Sequence, residues 1–387
     1  MNILIIPSWY NSKEKPLNGI FFKEQAMALK NYFQKKNTND KVFILYLERF
    51  SILDLKKYIK NFKTKISIED NIPTLRASFL GIPKFEKIDF SFGAKKLNTC
   101  INKMQKLNGV KFDLVHIHSA LDAGIWYSLS KQKIPYVITE HSSKYSRKLI
   151  SNQKKMYLSK VFDNAHDVFA VGIGLAHEVK QYTINVVKVL FNIVNSSFSY
   201  NKKILKSSNV ITFFSLGMNA MVKGHDILLL AFQNYILKGH QGKLIIAGLN
   251  EEEKKWLLTL GVKQCVLKHV TFLGKLDRNT VFQYMYDCDC FSLVSRFETF
   301  GVVFAEAMYC GKPVIATRTG GPDSFVTAEN GILVDVEDVE QTTNALIKMS
   351  ENIEKYDSNK ICKYAVYNFS SDVICEKLYN IYKDVIV

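Results

Sequence analysis

Glu298 and Glu306 stand eight residues apart in the run SRFETFGVVFAE, and no other charged side chain lies between Phe297 and Gly311. On one continuous helix eight residues advance about 800°, which would leave the two carboxylates some 80° apart. A solvated face would surround them with lysines or further acids. The local pattern suggests another arrangement: CDCFSLVS reads as a buried strand, RFETFG as a loop and VVFAEAMYC as a helix starting near Gly301. Glu298 then sits at the carboxyl end of a strand, where open α/β sheets bind ligands, and Glu306 about one and a half turns into the helix. The N–H groups of Thr299, Phe300, Gly301 and Val302 at the helix start suit an anion such as a diphosphate. A plainer alternative stays open, with Glu298 as partner of the helix dipole and Glu306 as a paired surface residue.

A second cluster follows the apolar run VITFFSLG. In GMNAMVKGHDILLLAF (217–232), Lys223-Gly224 opens a helix at the carboxyl end of that strand, so the ammonium can reach a phosphate there. The segment lacks GxxxxGK[ST] and is not a Walker loop, and the Gly172/Gly174 pair has His177 where a dinucleotide fingerprint needs its third glycine. TGGPD (319–323) and NGIL (330–333) are tight turns, explained equally by turn geometry or by a ligand passing close to the backbone. His118 and His141 each follow a strand near its carboxyl end, and His116 alternates with Ile117 so as to share a face with His118. Such histidines serve as catalysts or as packed core groups. Asn18-Gly19 lies in the loop after the first strand, before a helix beginning near Phe21. Asp287-Cys-Asp289 matches the DxD of metal-dependent sugar transferases, but it stands at the start of a strand, away from its carboxyl end; it reads as structural.

The elements that position these residues alternate along the chain. Short Val/Ile/Leu-rich runs at 2–8, 41–47, 114–118, 135–140, 167–172 and 186–192 are buried-strand candidates, and so are 210–217, 243–248, 269–274, 288–295, 312–318 and 331–334. Helical stretches lie between them, so the class is α/β with doubly wound parallel sheets. The polar stretch 195–209 reads as a linker between an N-terminal domain (1–194) and a C-terminal one (210–369), with a last helix of about 370–387 packing back on the first domain. At 47% hydrophobic and 23% charged, the 387 residues can build two cores, which excludes a disordered chain. No run approaches the ~18 apolar residues of a membrane span, and MNILIIPSWY reads as a first strand, not a signal peptide. An odd set of seven scattered cysteines argues for reduced thiols in a cytoplasmic protein.

Charge is divided unevenly. Residues 1–200 hold 31 Lys+Arg against 15 Asp+Glu, whereas 201–387 hold 21 of each. The whole excess lies in the first half, which implies an anionic partner such as a phospholipid surface. Ile52, Leu55, Ile59 and Phe62 fall on one helical face, with Lys56, Lys57, Lys60 and Lys63 beside and opposite it. Such a stripe docks on a sheet or lies on a membrane, and docking is the commoner outcome.

In this order the pieces resemble the retaining GT-B glycosyltransferases, in particular the group-1, family 4 enzymes of bacterial cell-surface polysaccharide type. The motif Glu298-x7-Glu306, inside ETFGVVFAEAMYCGKPVIATRTGGPDSF, matches the family's E-x7-E element, its G-x-P-V-I-A-T run and its GG turn. FNIVNSSF (191–198) is similar to its inter-domain N-G-x-x-x-x-F element, with Ile193 in place of glycine. The resemblance implies two Rossmann-like domains facing a central cleft, with a nucleoside diphosphate sugar on the C-terminal domain, UDP favoured, and the acceptor on the N-terminal one. It implies that Glu306 holds the ribose, Glu298 the transferred sugar and Lys223 the diphosphate, with amides of Thr299 to Val302 between them. Gly274 and Lys275 would meet the base. Asn18, Gly19 and Gly217 would approach the diphosphate, His118 would face the transferred sugar and His141 the acceptor side. Where the family has an arginine after Gly217, this chain has Met218, and Arg296 is the candidate replacement. No metal or other cofactor is expected. The implied role is transfer to a lipid-linked or cell-surface glycan, as in lipopolysaccharide or capsule synthesis, by a cytoplasmic protein peripheral on the inner face of the membrane. Alternatives are another GT-B chemistry, such as a nucleotide-sugar epimerase or phosphorylase, and remotely a basic nucleic-acid-binding protein.

Overall fold

β1 (Asn2–Pro7) is the run NILIIP, and Ile3 to Ile6 are all buried, as a central parallel strand requires. In this computed structural model, residues 1–386 are described apart from 13, 16–17, 62–63, 83–84 and 195–209. The expected linker (195–209) and Phe62 fall outside the described residues. The chain forms two compact units: Met1–Val171 with Leu175–Ile193 and Ser371–Val387, and Gly172–Gly174 with Val194–Ser370.

The first unit is built on an eight-stranded sheet. Its strands are β1, β2 (Lys41–Ser51), β3 (Lys65–Glu69), β4 (Ile72–Gly81), β5 (Leu114–His118), β6 (Tyr136–Glu140), β7 (Asp167–Ala170) and β8 (Val187–Val189). They lie in the order β3-β4-β2-β1-β5-β6-β7-β8, and every pair is parallel except β3 with β4. The β3–β4 hairpin is absent from the sequence reading. Its two-residue turn is Asp70-Asn71, both with positive φ (51° and 59°), the backbone that a tight hairpin with right-handed twist demands. The last helix, Ser371–Ile386, belongs to this unit and buries Ile374, Leu378 and Tyr382 in one cluster with Ile3, Ile5, Leu29 and Tyr32.

One expectation is overturned here. A 3₁₀ turn (Ile52–Asp54) and a helix (Leu55–Asn61) follow β2, but Ile52, Leu55 and Ile59 are 47%, 44% and 67% exposed. The stripe does not dock on the sheet. Tyr58 turns inward instead, its ring 5.9 Å from that of Phe50.

The second unit carries β9 (Ile211–Leu216), β10 (Gly242–Ala247), β11 (Val270–Phe272), β12 (Cys290–Leu293), β13 (Val314–Thr317) and β14 (Gly331–Val334). All are parallel, in the order β11-β10-β9-β12-β13-β14. The order reverses between β9 and β12 here, and between β1 and β5 in the first unit. At such a point the loops leaving the two strands diverge and open a crevice at their carboxyl ends. No helix among the described residues is long and apolar enough to cross a membrane.

Candidate active site

In the second unit the crevice is formed by the loops after β9 and β12. The β9 loop, Gly217 to Gly224, is held from several sides. His225 is buried and bonds through Nε2 to the Gly217 carbonyl (3.1 Å), and burial pushes its pKa down to about 4. Glu253 accepts the Ala220 N–H (3.0 Å), and the Asn219 side chain accepts the Val222 N–H (3.1 Å). Arg296 forks onto both carboxylate oxygens of Asp226 (2.9 and 2.8 Å), reaches Glu337 (2.7 Å) and donates to the Met221 carbonyl. A Cβ at Gly217 would lie 2.6 Å from Lys223 Cγ, so this glycine makes room for the lysine stem. Lys223 is thereby delivered to the crevice with little freedom left to lose on binding.

The β12 loop brings the carboxylate. Thr317 Oγ1 donates to the Ser295 carbonyl (2.5 Å), and Phe300 is buried against Phe325 and Phe369 (centroids 5.2 and 5.6 Å apart). Gly321, in the Gly320-Gly321 turn, packs against this loop. A Cβ on Gly321 would fall 2.7 Å from the Glu298 carbonyl and 2.8 Å from the Phe300 nitrogen. Backbone packing therefore suffices to account for Gly321. So held, Glu298 meets Lys223: Oε2 lies 2.6 Å from Nζ, and Ser295 Oγ is 3.4 Å from the same oxygen. Gly301 (φ 86°) then opens the Val302–Tyr309 helix, on which Glu306 is buried and contacts Arg278 (3.2 Å).

In the first unit the crevice lies after β1 and β5. His116 and His118 stack with centroids 4.2 Å apart, and His118 Nδ1 is 3.0 Å from His141 Nε2. His116 is anchored by Tyr382 Oη (2.6 Å) and Thr139 Oγ1 (2.8 Å). Burial lowers the pKa of all three, that of His116 to about 3, so the cluster is neutral at pH 7. His118 Nε2 is buried with no hydrogen-bond partner among the described residues, an acceptor or donor held ready for a ligand group. Phe22, whose ring lies 4.8 Å from His118, also packs beneath Gly19, the left-handed residue (φ 67°) that opens the Ile20–Lys35 helix. Asn18 beside it is exposed.

Lys223, Glu298, Gly217 and the Thr299–Val302 segment are thus collected at the reversal point of one sheet, and Gly19, His118 and His141 at that of the other. Gly274 and Lys275 follow β11, and the Gly274 carbonyl accepts the Gly248 N–H (3.0 Å). The Arg296 guanidinium bonds Asp226 and Glu337, an arrangement that braces the lysine loop. Asp287 and Asp289 are also engaged elsewhere, by the Gln283 amide (2.7 Å) and the Thr212 N–H (2.8 Å). The sequence reading missed Asp226, His225 and Arg278. Only Asp226 left a signal, as an acid in the first turn of the Lys223-Gly224 helix.

Two family models match the chain, "Glycosyltransferase Family 4" over residues 62–198 and "Glycosyl transferases group 1" over 197–367. An uncharacterized glycosyltransferase of Methanocaldococcus jannaschii is 29% identical over 314 residues, covering 79% of this chain and 81% of its own. The chain is a glycosyltransferase. Its fold is GT-B, as in the sucrose-phosphate synthase of Thermosynechococcus elongatus (TM-score 0.74, 17% identity, 99% and 98% of the two chains). The Anabaena protein HepE, solved with UDP, is similar to the same degree (TM-score 0.73, 19% identity, 99% and 100% covered). The Lys223–Glu298 contact sets one group of each sign side by side at the carboxyl ends of β9 and β12.

Proposed function

We propose that this glycosyltransferase takes its sugar from a nucleoside diphosphate sugar, UDP favoured, with retention of anomeric configuration and without a metal. Its acceptor would be a lipid-linked or cell-surface glycan at an anionic membrane. The observation that carries the reading is the 2.6 Å contact of Lys223 with Glu298 at the reversal point of the second sheet, one and a half helical turns from Glu306. Lys223 neutralises the leaving diphosphate, and the amides of Thr299 to Val302 share that work. Glu298 holds hydroxyls of the transferred sugar, and Glu306, steadied by Arg278, holds those of the ribose. Among the described residues no second carboxylate stands ready as a displacement nucleophile, which favours same-face substitution. His118, neutral and with Nε2 unengaged, is the group of the first unit suited to bond a substrate hydroxyl, and the excess of 31 basic over 15 acidic residues in 1–200 favours an anionic surface.

A thermal-shift panel of UDP-, GDP- and ADP-sugars identifies the donor, since a ligand at 100 times its Kd stabilises by about 2.7 kcal/mol. Glu306→Ala should abolish the shift of the true donor, and an unchanged shift removes Glu306 from the site. NMR of the product tests retention: an inverted anomeric centre refutes it.

A further inference from the structure

We propose that the first unit docks on an anionic bilayer through an apolar face, on lysine-rich segments, around the mouth of a cavity. The inference rests on the reading above for a lipid-borne acceptor.

The cavity measures about 730 Å³ and is walled by the aromatic side chains Tyr10, Tyr46 and Trp126 and by two ion pairs, Arg49–Asp89 and Lys154–Asp122. Aromatic faces beside hydrogen-bonding charged groups suit a polyhydroxylated head such as a sugar. Leu53 and Lys144 line the cavity and are also exposed, so they mark its mouth.

Three segments meet at that mouth, and each turns large apolar groups outward. From the first come Ile52, Leu53, Leu55 and Ile59, the stripe that fails to dock on the sheet. From the second come Phe85, Ile88 and Phe92, spaced by three and four residues, on the outer side of the Glu86–Asn108 helix, whose inner side buries Asp89, Phe90 and Gly93. From the third come Leu149 and Met156. The segments border one another: Ser151 Oγ donates to Glu86 (2.5 Å), and Lys96 Nζ to Thr64 Oγ1 (3.3 Å). The same segments are basic. Residues 52–65 contain five lysines and one acid, and 141–160 contain six Lys/Arg and no acid.

Apolar exposure alone would not select an occupant, but its combination with this charge does. A second copy of the chain packed symmetrically on this face would set its lysines against each other. A nucleic acid would meet the lysines and leave the exposed aliphatic and aromatic groups in water. An anionic bilayer satisfies both, with apolar groups entering the headgroup boundary and lysines meeting lipid phosphates.

The test is flotation of the full chain with vesicles of phosphatidylcholine alone and with about 30% phosphatidylglycerol added. Binding should be about tenfold greater to the anionic vesicles and be lost at about 0.5 M salt. Ile59→Glu and Phe92→Glu should each lower it about tenfold. Leu107→Glu, on the same helix but about 22 Å beyond Phe92, should leave it intact. Equal binding to both vesicles, or an equal loss in Leu107→Glu, overturns the proposal. So does a shift of Ile59→Glu and Phe92→Glu from dimer to monomer with vesicle binding unchanged. The donor-induced thermal shift separates this failure from that of the transferase reading. Loss of flotation with the shift intact supports the docking face, and flotation retained in both variants overturns it whatever the shift does.

Discussion

Glu298→Gln and Lys223→Met should move nucleotide binding in opposite directions. Their side chains meet at 2.6 Å while remaining only 13% and 22% exposed. A charge-assisted hydrogen bond in such partly dry surroundings contributes about 1.5–3 kcal/mol. An arriving diphosphate competes with Glu298 for the ammonium. Lysine has three protons to share, so we expect about 1 kcal/mol of that energy, not all of it, to oppose binding. Glutamine keeps the shape and removes the competing charge, so the UDP Kd should tighten about three- to tenfold. Transfer should nevertheless fall about 100-fold or more, because the carboxylate beside the developing positive charge is gone. Lys223→Met removes the cation, and both effects then point the same way: UDP should weaken about tenfold or more and kcat/KM should drop about 100- to 1,000-fold. Titration calorimetry with UDP, or with the nucleotide chosen by the donor panel, reads the first quantity, and transfer kinetics read the second. If Glu298→Gln weakens the nucleotide as much as Lys223→Met does, the pair is a structural strut and the reasoning fails.

Three further expectations follow from the geometry. Gly321→Ala would place a Cβ 2.7 Å from the Glu298 carbonyl, a backbone atom that cannot rotate away; urea unfolding should show a loss of about 1–3 kcal/mol, with the donor-induced thermal shift reduced. The histidine cluster makes stability fall in acid. Its folded pKa values lie below the unfolded value of about 6.5, so the unfolded chain binds protons first, and stability is complete above pH 6.5 and lost below it. His116, at about 3, should contribute about 1.4 kcal/mol per pH unit, or about 2 kcal/mol by pH 5, with His118 and His141 acting in the same direction, and a urea midpoint independent of pH between 7.5 and 5 contradicts the assignment. If Arg296 is a strut, Asp226→Asn and Arg296→Met should be strongly non-additive, with a coupling of about 1.5 kcal/mol or more in a double-mutant cycle, whereas additive losses would return Arg296 to the ligand.

Each of the twelve strand runs expected from the sequence contains a strand; the central ones are conspicuous because a buried parallel strand is apolar on both faces, while the edge strands β8 and β11 are partly exposed. The β3–β4 hairpin escaped for three local reasons. KISIE alternates as a half-buried strand does but is short and holds no continuous apolar run, IPTLRASFLG carries Pro73 and Arg76 within it, and the turn is Asp-Asn where Asn-Gly or Asp-Gly is the familiar signal. Arg76 is tolerated there because its guanidinium forks onto Glu69 of the neighbouring strand (2.8 Å to each oxygen). A sequence window around either residue does not contain that partner. The candidate site divides along the same line. Glu298 and Lys223, 75 positions apart, were both placed because each follows a recognisable strand and the sheet order does the rest. In the sequence Arg296, two residues from Glu298, reads as a cation available to a diphosphate. What decides its role is Asp226, 70 positions away, whose carboxylate matches the guanidinium fork and takes both of its arms. The exposed apolar stripe at 52–59 was misjudged for the converse reason. Spacing shows which side chains share a helical face, but whether the protein itself covers that face depends on neighbours contributed from the rest of the chain.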